Sequence, residues 1–278
     1  MDFLELIKAM FYGVVEGITE WLPVSSTGHL ILFEEYIPMK LSDGFMEMFR
    51  VVIQLGAILA VVVTYFDKLW PFGDGKTEKQ KLATWHLWFI VVVSVIPSAV
   101  LGLLLDDWFD AHFYNTPVVA SMLIIYGILF ILIERYRADK EPDIKSPYKI
   151  PIKTALFIGA FQVLAIIPGT SRSGSTILGA MLLGLSRTAA AEFSFFMAIP
   201  TMLGASGLKA VKFAFDAETA MTSSEWGALI AGCVVAFAVS MYAIRFLTDY
   251  VKRHTFSSFG VYRIVLGAIV LIVGFLPR

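Results

Sequence analysis

Glu16 and Glu20 stand four residues apart, and Ser25, Ser26, Thr27, Gly28 and His29 follow closely. On a helix that spacing sets two carboxylates on one face, about 6 Å apart at Cβ. In apolar surroundings they repel unless a proton or a cation intervenes. Carboxylate oxygens suit a hard divalent cation, Mg2+ or Ca2+, above all one shared with a phosphate. A serine becomes a nucleophile when a base takes its proton, and His29 lies three or four residues from the serines. A second polar set, Pro168-Gly169-Thr170-Ser171-Arg172-Ser173-Gly174-Ser175-Thr176, reads as an anion cradle. Backbone N–H groups at a helix start bind phosphate, and Arg172 can grip it through two parallel hydrogen bonds. Plainer roles stand beside these: a serine can simply cap a helix, and Arg172 can neutralise Glu16 or Glu20. Taken together, the two sets describe metal-assisted phosphoryl transfer, with a serine as attacking group. No GxxxxGK[ST] loop is present, which disfavours nucleotide hydrolysis.

The two sets resemble each other. Laying Gly28 on Gly174 places Ser25 on Ser171, Ser26 on Arg172 and Thr27 on Ser173. Both lie in apolar sequence, where burying hydroxyls and charges is costly and their presence marks a function. Of the 278 residues 58% are hydrophobic and 16% charged, against about 25% charged in soluble domains. The chain therefore belongs in a bilayer, and the phosphate it handles is a lipid's. A net charge of −1 argues against nucleic acid as a partner. One cysteine, Cys233, excludes an internal disulfide and a zinc cluster.

Six segments, near 49–66, 86–105, 118–134, 191–211, 226–247 and 259–277, can cross about 30 Å of hydrocarbon. The polar sets interrupt two further helices, near 4–22 and 153–167, each followed by a short apolar run, 30–37 and 176–185. Irregular backbone at membrane depth must be enclosed by protein or line a cavity, so both are expected as re-entrant hairpins. Lysines and arginines crowd the loops 67–85, 135–153 and 248–258, which the positive-inside rule assigns to the cytoplasm. The stretch 106–117, with Asp106, Asp107 and Asp110 and no Lys or Arg, is expected as an outward loop; 212–225 is mixed. Threaded through these assignments, the first hairpin enters from outside and the second from the cytoplasm. The expected fold is thus an all-α integral membrane protein, six transmembrane helices plus two re-entrant helix-loop-helix hairpins, arranged as an inverted-topology repeat. It forms a single membrane domain over 1–278, with repeat one at about 1–134, repeat two at about 150–278 and a connecting loop near 135–152. Met46-Glu47-Met48-Phe49 and Ala191-Glu192-Phe193-Ser194 echo one another after their respective sets. Gly and Ala residues in 202–210 and 227–236 are expected to let helices approach closely.

The motifs Glu-x-x-x-Glu, LPVSSTGH and PGxSRSGxT, with FRVVIQLGAILAVVV at 49–63 and AEFSF at 191–195, closely resemble the undecaprenyl-diphosphatase family of the bacitracin-resistance type. The resemblance spans essentially the whole chain. It implies hydrolysis of undecaprenyl diphosphate to undecaprenyl phosphate and phosphate, recycling a lipid carrier for envelope synthesis, with dependence on a divalent cation. It also implies a site open to the outer side of a bacterial cytoplasmic membrane. The acidic motif falls on Glu16 and Glu20, the serine–histidine motif on Ser25, Ser26 and His29, and the arginine motif on Ser171, Arg172, Ser173 and Thr176. Ser26 is taken as nucleophile, with His29 or a glutamate moving the proton; the alternatives are Ser25 in that role, or a metal-activated water with both serines only binding phosphate. Glu16 and Glu20 are assigned to the metal; Arg172, with Ser25, Thr27, Ser171, Ser173 and Thr176, is assigned to the diphosphate. The partners expected are a polyprenyl diphosphate and the bilayer, with a homodimer left open. A transporter or flippase for a polyprenyl phosphate is the rival function, because broken-helix inverted repeats serve transport as well.

Overall fold

The computed structural model describes residues 3–113, 115–215 and 221–275. In chain order the helices are α1 (Phe3–Thr19), α2 (Ser26–Tyr36), α3 (Asp43–Val52), α4 (Gln54–Thr64), the single turn α5 (Phe66–Leu69), α6 (Glu78–Phe113), α7 (Thr116–Arg137), α8 (Ile152–Val163), α9 (Arg172–Leu182), α10 (Arg187–Phe215), α11 (Ser223–Tyr250) and α12 (Ser257–Phe275). Among the described residues the one strand-like pairing is an isolated bridge between Ile144 and Leu185. Six stretches are long and apolar enough to cross a membrane: Asp43–Thr64, Glu78–Leu105, Thr116–Arg137, Arg187–Phe215, Ser223–Tyr250 and Ser257–Gly274. They coincide with the six expected spans, and the chain is an all-helical multi-pass membrane protein.

Helix boundaries follow local chemistry. The Asn115 side chain accepts from Val118 N at 3.1 Å and starts α7 with Pro117 in the first turn. Thr222 and Glu225 form a reciprocal capping box that opens α11. Pro97 and Pro200 lie inside α6 and α10 without ending them, as neighbouring helices in a membrane permit. One expectation fails here: residues 106–113 are not a loop but the last turns of α6. The side chains of Asp106, Asp107 and Asp110 lie outside the described residues, as do Asp216 and Glu218.

α1 and α2 form a hairpin that returns to its starting level. Lys8 Nζ donates to Pro38 O at 2.6 Å, and Lys40 N donates to Glu5 Oε2 at 2.8 Å. α8 and α9 form a second hairpin, closed where Asp143 N and Ile144 N donate to Gly184 O, at 3.0 and 3.2 Å. Beside the open end of the first hairpin Ser42 Oγ donates to Glu225 Oε1 at 2.6 Å, at the start of α11; beside that of the second, Ser186 N donates to Ile144 O at 2.9 Å. At the second hairpin's end gather all three basic loops: Lys68 pairs with Glu192, Tyr148 donates to Lys68 O, and Tyr65 bonds Thr248. There too Arg187 meets Glu134, whose carboxylate also accepts from Phe256 N.

Each hairpin's first helix packs on a long helix from the other half of the chain: α1 on α11, α8 on α6. Lipid supplies no hydrophobic drive between helices, so close backbone approach has to hold these pairs. A Cβ at Gly13 would stand 2.5 Å from Gly232 O, and one at Gly159 would overlap Ser94 O. The expected glycine packing in 227–236 is therefore present at Gly232. The glycines of 202–210 do not pack in this way: Gly204 and Gly207 face open space, and the stretch is held instead by Ser206, which donates to Val51 O at 3.0 Å, by Lys209, which pairs with Glu47, and by buried Met202. The inner packing gathers Trp21, Phe130, Phe193, Phe195, Phe196 and Phe256 around the second hairpin. Outward stand side chains such as Leu103, Leu104, Ile230 and Ile272, an apolar coat suited to lipid.

Candidate active site

The turns of the two hairpins meet in the interior. Each helix that leaves a turn begins on a serine with left-handed backbone, Ser25 at φ 71° and Ser171 at φ 73°. These are the only non-glycine residues with positive φ among those described. Each hydroxyl accepts from the backbone N–H three residues on, Gly28 N at 3.4 Å and Gly174 N at 3.1 Å. The plainer role is thus the observed one for both serines: they cap α2 and α9. The sequence correspondence of Ser25 with Ser171 is a correspondence of backbone geometry too. Positive φ on a residue with a side chain costs about 1–3 kcal/mol and survives only where surroundings enforce it.

The next residue in each turn, Ser26 or Arg172, bonds Glu20. Ser26 Oγ donates to Glu20 Oε2 at 3.0 Å, and Arg172 Nη2 donates to Glu20 Oε1 at 3.0 Å. Glu20, just past the last turn of α1, thereby joins a hydroxyl on one hairpin to a guanidinium on the other. Arg172 is further fixed by Ser194 O, which accepts from Nη1 at 2.7 Å, and its plane lies 5.9 Å from the Trp21 ring. Ser173 Oγ donates to Glu20 O at 2.9 Å and lies 3.2 Å from Ser171 Oγ. Thr176 Oγ1 bonds Ser194 Oγ at 2.6 Å and donates to Arg172 O at 2.9 Å. Ser173 and Thr176 thus orient Glu20 and Arg172 in this arrangement. Thr27 is half-buried in the first turn of α2.

Glu16 is fully buried one turn before Glu20, whose N–H donates to Glu16 O at 3.0 Å. Among the described residues no donor reaches either of its carboxylate oxygens, and the charged group it faces first is Glu20. Two such groups coexist only by sharing a proton or a cation. Orphaned carboxylate oxygens of this kind fit a cation site. No cluster of three His, Cys, Asp or Glu residues suited to a metal occurs among the described residues, so Glu16 and Glu20 would supply only part of a coordination shell. Unpaired buried donors lie in the same region: Arg172 Nε and Trp21 Nε1 also have no partner. They are the groups an anion would satisfy.

His29 does not sit on Ser26. Its Nδ1 donates to Ser25 O at 2.7 Å, which leaves Nε2 to accept from the Tyr262 hydroxyl at 2.7 Å. The two rings stack with centroids 5.7 Å apart. Of the two bases open to Ser26, the geometry presents the glutamate.

Four residues here escaped the sequence reading: Trp21, Ser194, Tyr262 and Arg263. For Arg263 a signal existed, a lone arginine inside an apolar span, near its start. Ser194 lay inside the AEFSF echo without being read as part of the site.

The chain matches the family model described as "Bacitracin resistance protein BacA" over residues 9–269. It is 56% identical over 275 residues to proteins named undecaprenyl-diphosphatase from Streptococcus pyogenes serotype M5 (strain Manfredo) and serotype M1. The match covers 99% of this chain and 98% of theirs. With the match running through both hairpins and their serine-capped turns, the chain belongs to the BacA bacitracin resistance family.

Proposed function

We propose that this chain is a membrane phosphohydrolase converting undecaprenyl diphosphate to undecaprenyl phosphate and inorganic phosphate, the activity its Streptococcus pyogenes relatives are named for. The observation that carries the reading is the hydrogen-bonded line Ser26–Glu20–Arg172 between two helix N-termini. It offers a nucleophile, its base and an anion grip in one place. A carrier of polyprenyl phosphate would use the grip but has no need of a hydroxyl aimed at a carboxylate.

In this mechanism the terminal phosphate draws Arg172 away from Glu20, in the two-point geometry a guanidinium favours. Glu20, released from that hydrogen bond, takes the Ser26 proton as Oγ bonds the terminal phosphorus. The bridging P–O bond breaks, and undecaprenyl phosphate leaves with the electron pair. Glu20 passes its proton to that leaving phosphate and, ionised again, deprotonates the water that attacks the phosphoserine; the Ser26 Oγ–P bond breaks, inorganic phosphate departs and Glu20 returns the second proton to Ser26 Oγ. First-turn N–H groups of α2 and α9, unsatisfied within their helices, face the same charge. Glu16 and Glu20 are the residues that would hold a divalent cation, Mg2+ or Ca2+, which when bound offsets charge on the phosphate oxygens. The deciding experiment is phosphate release from a polyprenyl diphosphate by the purified protein in detergent, where sidedness is lost. Release by wild type and not by Ser26→Ala is expected. No release by wild type overturns the reading, and full release by Ser26→Ala transfers the attack to water.

The proposal includes the membrane arrangement. The end that gathers the basic loops is cytoplasmic by the positive-inside rule, so the α1–α2 hairpin re-enters from outside and α8–α9 from the cytoplasm. The substrate reaches the site from the outer side of a bacterial cytoplasmic membrane. An inverted repeat is supported by three reciprocal features. The hairpins exchange partner helices, both turns carry a left-handed serine cap, and the echoed acids form crossed ion pairs, Glu47 with Lys209 and Glu192 with Lys68.

A further inference from the structure

Arg263, on α12, is wholly buried, and no carboxylate pairs with it among the described residues. Its guanidinium is spent on main-chain carbonyls from three places. Nη1 donates to Pro23 O at 3.1 Å, in the first hairpin's turn. Nη2 donates to Gly169 O at 2.8 Å and Thr170 O at 2.9 Å, in the second turn. Longer contacts of 3.4 Å join Nη2 to Met122 O and Nε to Leu123 O on α7. The planar group also lies 5.5 Å from the Tyr126 ring, whose hydroxyl reaches Ser175.

The three carbonyls in the turns stand just before Ser25 and Ser171, the two residues in strained backbone. Such conformations persist only where neighbours over-determine them. A buried guanidinium is also costly to desolvate, and it touches none of the proposed reacting groups. We propose that Arg263 is a positioning residue: it staples the two turns together, holding Ser26 and Arg172 in register across the diphosphate. This rests on the phosphohydrolase reading. In that reading the Arg172–Glu20 bridge opens when phosphate arrives, so the direct charge link between the turns is lost at the moment register matters. The Arg263 staple, made to backbone and not to groups the phosphate claims, remains.

The test uses the full-length protein in detergent with Arg263→Lys and Arg263→Gln. Lysine keeps the charge, but one ammonium cannot span carbonyls on three elements. Arg263→Lys is expected to lower kcat about 100-fold, the scale of an ångström-sized misplacement, with KM changed less than about 3-fold because no substrate contact is removed. Hydrogen exchange should accelerate in 20–28 and 168–176 together and leave the long helices unchanged. A rise in KM at unchanged kcat, or faster exchange in one turn only, overturns the staple. A measurement on wild type stands apart from any variant's folding: the two turns should exchange as one cooperative unit, and separate opening rates overturn the proposal. If wild type releases no phosphate, the activity reading fails while the exchange coupling still decides the staple.

Discussion

In the proposed mechanism Ser26, Glu20 and Arg172 divide the work so that each substitution leaves its own signature. Ser26→Ala should lower turnover by about 10³-fold or more, since nucleophile and base act as a unit; single-turnover phosphate release measures it. Arg172→Lys should lose about 10²-fold, because a point charge cannot reproduce a bidentate grip, and near-normal turnover would dismiss that role. Excess chelator should abolish release and added Mg2+ or Ca2+ restore it, with Glu16→Gln raising the cation concentration needed. Ser25 separates strain from capping. Ser25→Gly accepts φ 71° freely and loses only the cap bond to Gly28 N, whereas Ser25→Ala loses the cap and keeps the strain. The alanine variant should therefore be the less stable by about 1 kcal/mol, read as a difference in thermal midpoint. The residue types of this site were legible because carboxylates, hydroxyls and an arginine are expensive in oily sequence and stand out there. Their partners were not. His29 lies three residues from Ser26 in the chain yet turns to Tyr262, on a helix more than two hundred residues away. Arg263 bonds backbone carbonyls, which no side-chain pattern records.

At the scale of elements, length and hydropathy located all six spans, since a bilayer imposes one minimum length on every crossing helix. Facing was hidden for the same reason. A helix apolar on every side has no polar face to show which stripe packs, so the expected close contacts at Gly204 and Gly207 are absent while those at Gly13 and Gly159 are decisive. Gly159→Leu should break the α8–α6 contact and destroy the detergent-stable fold; Gly204→Leu, facing open space, should leave thermal stability within about 0.5 kcal/mol. Size-exclusion profiles and melting curves of the two variants compare them directly. The end of α6 was misread because acidic residues after an apolar run look the same in a loop and in the last turns of a long helix. The turns themselves could be foreseen from Pro23 and from Pro168-Gly169, which break a helical run. That both would place a serine at positive φ could not, because the tertiary contacts around a turn, not its local preference, enforce that geometry.

For the whole molecule, charge distribution makes a prediction about sidedness. In intact cells a cysteine placed at Lys40 should react with a membrane-impermeant maleimide and one at Lys76 should not, in a background lacking Cys233; the reverse pattern would invert the proposed topology. The exchange of partners between halves has a further consequence, one of timing. α1 carries Glu16 and Glu20 into the membrane early, but the helix that covers it, α11, begins only at Ser223. At about 5–20 residues per second of synthesis, the first hairpin waits on the order of 10–40 s for its mate. Until Arg172 is made its acids have neither that guanidinium nor α11 around them, and from then until Ser223 they still lack α11. The order of synthesis thus leaves the chain's acidic hairpin without its covering helix until the second half is made. Supplying residues 1–139 and 140–278 as separate chains should accordingly restore activity only when both are made together, since neither half owns the helix that shelters its hairpin.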